Sequence, residues 1–253
     1  MFDLIDECGK ELKEYGYSVR AAGRYGISVA SLKIETKKQS ENLGLKQGQY
    51  YIINSPLLHS LGEENEKYLS NIIANKLKLI LKGMGIEKQD KILLACLGNF
   101  DVEGDRLGKE VFDRVNISTL QADVRVYKFC PNVFIFTGIE SAEVVKILVK
   151  HLKIKCVIII DSLTTVALAR LGTSFQLSSS GMTPGSGVNR FGRAIDAKDL
   201  NAVCVSIGVP FMISSSSLGG QKVGETILVP KDVSQDIARA GRVIAGAINK
   251  VVL

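Results

Sequence analysis

The chain has 253 residues, 46% of them hydrophobic, which allows a substantial core in one large α/β domain or two small ones. Its opening stretch MFDLIDECGKELKEYGY is charged throughout, and its longest apolar runs, such as Cys156–Ile160, are strand-length. A signal peptide and a membrane-spanning helix are therefore excluded as expectations, and the chain reads as soluble and cytoplasmic.

The first 25 residues suggest a short amphipathic helix and a basic turn ending at GRYG. Residues 27–35 and 49–58 alternate as strands do. From Asn65 to Lys82, apolar residues recur at helical spacing (Leu69, Ile72, Ile73, Leu77, Ile80, Leu81) until Gly83 and Gly85 stop the helix. Residues 91–98 form a continuous apolar strand, followed by a Gly/Asp loop and a helix over 107–115. Candidate strands follow at 122–129 and 132–138, then a helix over 141–152 and a buried strand at 155–161. A helix beginning SLTTVALAR is expected next, then strands at FQLSSS and 202–213. Asp232 to Val252 closes the chain as a helix with Val233, Ile237, Ala240, Val243, Ile244 and Ala247 on one stripe. Strands alternating with helices, apolar on both faces, predict an α/β fold with a largely parallel or mixed sheet flanked by helices. No linker interrupts it, so residues 1–253 read as a single domain, with 1–26 as an N-terminal extension. Residues 177–193 and 214–224, rich in small residues, are the expected irregular loops.

Charge and ligand supply narrow the chemistry. The formal charge is +6 and the pI about 9.0. The lysines alternate with apolar residues instead of clustering with aromatics, so solvated faces are the expected reading and direct nucleic-acid binding is not expected. Five cysteines, at 8, 96, 130, 156 and 204, show no metal-ligand spacing and read as reduced thiols, three of them within apolar strands. With only His59 and His151 present, an imidazole-based zinc site is not expected. The loop GMTPGSGVNRFGR has glycines and basic residues but lacks the ending of a P-loop, and no serine lies in a Gly-x-Ser-x-Gly elbow.

Acidic residues remain. In open α/β sheets, ligands gather beyond the carboxyl ends of the strands. Asp161 ends the strand KCVIII, and Asp101, Glu103 and Asp105 lie in the loop after KILLACLG. Two carboxylates held close cannot both ionise cheaply, so one keeps a proton. The ionised partner can then activate water while the protonated one donates to a scissile carbonyl, with no metal or other cofactor required. The competing reading makes Asp161 the N-cap of the following helix.

Five ordered segments resemble the germination protease family of spore-forming bacteria: CLGNFDVEGDRLGKEV (96–111), TGIESAEVV (137–145), VIIIDSLTTVALARLGTSFQLSSSGMTPGSGV (157–188), VCVSIGVPFMI (203–213) and LVPKDVSQDIARAGRVIAGAIN (228–249). The resemblance implies a fold akin to hydrogenase-maturation peptidases and a homo-oligomer. It also implies a zymogen-derived aspartic endopeptidase that degrades small acid-soluble spore proteins during germination, in the spore core. Its essential aspartates fall on Asp105 and Asp161. Its cleft-lining positions fall on Asn99, Thr137, Gly138, Glu140, Pro184, Gly185, Ser186 and Gly187. The chain departs from the family pattern where YSVR runs into AAGRYG, at Thr183, and where SSSSLGGQKVGET shortens a long insertion. Those departures motivate the alternative of a non-catalytic member that binds spore proteins or a partner subunit.

Overall fold

The computed structural model describes residue 5 and residues 12–117, 125–183, 193–214 and 226–252. Near the N-terminus, β1 (Ser18–Ala21), β2 (Ser28–Ile34) and β3 (Gly48–Asn54) pair antiparallel in sequence order. The strand at 18–21 replaces the basic turn expected there. Between β2 and β3 runs the unforeseen α1 (Lys37–Leu43). Thr36 and Gln39 form a reciprocal capping box at its start, and Gly44 closes it in the left-handed conformation. Local capping thus makes a helix from a segment without an apolar stripe.

The second half alternates helices with strands. α2 (Glu63–Gly83) leads into β4 (Ile92–Cys96), and α3 (Leu107–Arg114) follows it; β5 (Val126–Phe129) precedes α4 (Phe134–Thr137) and α5 (Ser141–Leu152). Then come β6 (Cys156–Thr165), β7 (Ser174–Ser178), α6 (Ala197–Leu200), β8 (Val203–Ser214), β9 (Ile227–Leu228) and α7 (Val233–Val252). All nine strands join one mixed sheet in the order β1-β2-β3-β7-β8-β6-β4-β5, with β9 pairing the far end of β8. β8, β6, β4 and β5 run parallel; the other pairings are antiparallel.

Side-chain alternation divides the strands between two cores. Ile92, Leu94, Cys96, Ile158, Ile160, Val205 and Ile207 face a layer of α2, α3 and α7. Leu93, Ala95, Val157, Ile159 and Cys204 face α5 and α6. A smaller core of Ala30, Leu32, Ile34, Tyr50 and Ile52 covers the antiparallel end.

Two expectations fail for identifiable reasons. Residues 134–137 form a helical turn, not a strand: the edge position is already taken by β5, and Gly138 at φ 65 caps the turn. Residues 162–165 extend β6 instead of starting a helix. Ser162 to Thr165 pair with β8 through Ile213, and a bulge after Leu163 passes over Phe211, next to Pro210, which has no N–H to offer a ladder. Asp161 therefore lies inside a strand of ten residues and caps no helix.

Candidate active site

The last ladder pair between β4 and β6 joins Cys96 to Ile160. Beyond that point β4 turns away, and residues 97–107 lie along the outer half of β6. The Leu97 N–H donates to the Ile160 carbonyl at 2.8 Å. At the other end of the loop, the Leu107 N–H approaches Ser162 Oγ at 3.4 Å. These contacts hold the loop to β6 at the two residues flanking Asp161. Asp161 is buried, at 6% exposure, and its Oδ1 accepts from the Ser162 N–H at 3.0 Å.

Asp105 sits between the two attachment points, half-buried in a 3-10 turn (Glu103–Asp105). Its Oδ2 accepts from the Asn99 N–H at 2.9 Å, and its own N–H donates to the Val102 carbonyl at 2.9 Å. Asn99, buried, in turn accepts at Oδ1 from the Asp101 N–H at 3.0 Å. Asp101 and Glu103 are exposed on the same loop. Three glycines make this packing possible. A methyl group at Gly98 would lie 2.1 Å from the Asp105 carbonyl oxygen, one at Gly104 would lie 2.6 Å from Val229 Cγ1, and one at Gly108 would lie 2.1 Å from the Leu97 carbonyl oxygen. Gly98 also adopts φ 136, which other residues avoid. The structure thus brings Asp105, Asn99 and Asp161 into one neighbourhood. Sequence reasoning did not single out Ser162 or Gly98 there, because their roles depend on the loop folding back against β6.

Of the other expected positions, Thr137, Gly138 and Glu140 lie on the connection from β5 to α5, and β4 separates β5 from β6. Thr137 Oγ1 bonds only locally, to the Val133 and Ile139 carbonyls and the Ile139 N–H, and Glu140 precedes the first turn of α5. Pro184, Gly185, Ser186 and Gly187 lie outside the described residues.

Neither histidine joins the carboxylates. His59 Nδ1 lies 3.1 Å from Asp236 Oδ1, whose buried carboxylate also accepts from the His59 N–H at 2.7 Å. Among the described residues no three His, Cys, Asp or Glu side chains converge as metal ligands. Burial pushes the Cys204 thiol up to about 12 and raises those of Cys96 and Cys156 further still.

The end of the sheet that carries the acidic residues is also unusually apolar. Of fourteen large hydrophobic residues exposed among the described ones, ten sit at that end, Val102, Phe136, Val166, Leu168 and Val229 among them.

The mixed sheet flanked by helices thus carries Asp161 inside the parallel strand β6 and Asp105 on the loop that follows β4. The sequence profile of the family described as germination protease matches residues 6–227, and the chain belongs to that family of peptidases. The germination protease of Caldanaerobacter subterraneus subsp. tengcongensis is 32% identical over 222 residues, covering 84% of this chain and 68% of the relative. That of Bacillus subtilis is 27% identical over 224 residues, covering 85% of this chain and 60% of its own length. The chain thus spans about three fifths of the Bacillus relative. Among solved structures, the [NiFe] hydrogenase maturation protease HycI from Thermococcus kodakarensis KOD1 aligns with a TM-score of 0.37 and 16% identity, over 62% of this chain and 92% of that one.

Proposed function

We propose that this chain is an endopeptidase that cuts small acid-soluble spore proteins during germination, with Asp105 and Asp161 as an acid pair. The observation that carries the reading is the double attachment of the 97–107 loop to Ile160 and Ser162, which holds Asp105 alongside the strand that bears Asp161. Asp161, nearly out of solvent, is the member that keeps the proton when the two carboxylates approach a shared water; Asp105, half-exposed and bonded by the Asn99 N–H, is the ionised base. Water activated by Asp105 attacks the scissile carbonyl while Asp161 donates to its oxygen. The apolar residues around this end suit a polypeptide in extended form, whose own apolar side chains need cover.

The test is cleavage of a purified small acid-soluble spore protein from acidic to neutral pH. Asp161→Asn and Asp105→Asn are each expected to abolish turnover with an unchanged thermal melt. Turnover retained in either variant defeats the assignment. Binding without cutting by the unaltered chain would instead make it a non-catalytic family member.

A further inference from the structure

The opposite end of the sheet, where β4, β5, β6 and β8 begin, has a different character. The segments entering these strands (82–91, 125, 150–155 and 197–202) hold eight basic residues, Lys82, Lys88, Lys91, Arg125, Lys150, Lys153, Lys155 and Lys198, against three acidic ones, Glu87, Asp90 and Asp199. A net charge near that of the whole chain is therefore gathered on one end. None of the eight makes an ion pair among the described residues.

Main-chain bonds put the centre of the cluster in one row. The Ile92 N–H donates to the Arg125 carbonyl at 2.8 Å, the Lys155 N–H to the Lys91 carbonyl at 2.9 Å, and the Arg125 guanidinium to the Lys88 carbonyl. Adjacent strands lie about 4.8 Å apart, so Arg125, Lys91 and Lys155 span about 10 Å. Duplex DNA presents about six phosphate charges over that length. Lys153 adds a separate sign. It caps α5 at φ 57, a left-handed position that glycine fills without strain, yet the chain keeps a lysine there.

We infer that this basic end binds the phosphate backbone of double-stranded DNA without reading its sequence. Lysines dominate, and they act as point charges for phosphate. Met84 is the one large apolar residue exposed among these segments, and the His151 imidazole is the one exposed ring, with no Phe, Tyr or Trp beside it, so neither an apolar protein-interface core nor a row of rings for stacking single strands is present among the described residues. Because this end is opposite the carboxylates, DNA and a polypeptide can be held together.

The experiment is fluorescence anisotropy of a labelled random-sequence 30-base-pair DNA duplex with the full chain. About five phosphate contacts predict a slope near −4.5 in log affinity against log salt, a roughly 500-fold loss between 50 and 200 mM. Lys153→Glu/Lys155→Glu should flatten the slope by about two, and Lys153→Gly by about one, with the fold retained in the melt. Lys67→Glu/Lys231→Glu, at the end of the sheet that carries the acidic loop, should leave it unchanged. The inference fails if no duplex binding is seen at 50 mM salt, or if this control variant weakens binding as much as the pair in the basic end. It also fails if polyglutamate of equal charge displaces the DNA more effectively than unlabelled duplex, which would make the partner an acidic protein. Cleavage plays no part in this readout, so its outcome is separate from that of the acid pair.

Discussion

Gly98→Ala tests the link between backbone packing and the acid pair. The added methyl starts 2.1 Å from the Asp105 carbonyl oxygen and must clear to at least 3.0 Å, so the turn carrying Asp105 has to move by about 0.9 Å (3.0 − 2.1). A displacement of about 1 Å at a reacting group costs on the order of 100-fold in rate, equivalent to about 2.7 kcal/mol in the barrier. The backbone at φ 136 adds strain of about 1–3 kcal/mol to the folded state. A chain of this size should lose roughly 2–4 °C of Tm for each kcal/mol. The assay is kcat/KM for a spore-protein substrate beside a thermal melt. Gly44→Ala is the control: Gly44 also has positive φ, at 69, but nothing lies within 4 Å of its added methyl. That variant should lose stability and keep full activity. Wild-type kcat/KM in folded Gly98→Ala would refute the idea that activity depends on where this turn holds Asp105.

Two further outcomes rest on other groups. Burial of Glu66 raises its carboxyl, but hydrogen bonds and charge from Arg242 and Arg239 outweigh that and hold it below the usual carboxylate range. A lowered folded value stabilises above the unfolded one and is lost as pH falls through the folded one. Glu66→Gln should therefore cost about 1–2 kcal/mol at pH 7 in urea unfolding, with the difference shrinking below about pH 4, and a pH-independent difference would contradict this. Burial lifts the half-buried Cys130 thiol to about 11, and the fully buried Cys96 and Cys156 higher. Peptide mapping after alkylation of the native chain at pH 8 should find Cys130 labelled before the other two; equal labelling would show that they are not shielded as described.

Much of the architecture was legible because it follows from local periodicity. The apolar runs at 91–98, 155–161 and 202–213 and the stripes of α2, α5 and α7 each demand burial wherever they lie in the chain. Asp105 and Asp161 were legible as candidates through the resemblance and through their place after such runs. What tertiary structure decided was non-local. β6 continues past Asp161 because β8 offers Val209 to Ile213 as a ladder partner, which removes the competing helix-cap reading and moves the aspartate from an expected strand end to a buried position within the strand. The close approach of Gly98 to Asp105 depends on a loop folding back on itself. The basic residues at 82, 91, 125 and 155 look like scattered solvated charge along the chain, and parallel pairing of the strands they precede gathers them at one end. A sequence states which residues must be buried; only the pairing of distant strands decides which charges become neighbours.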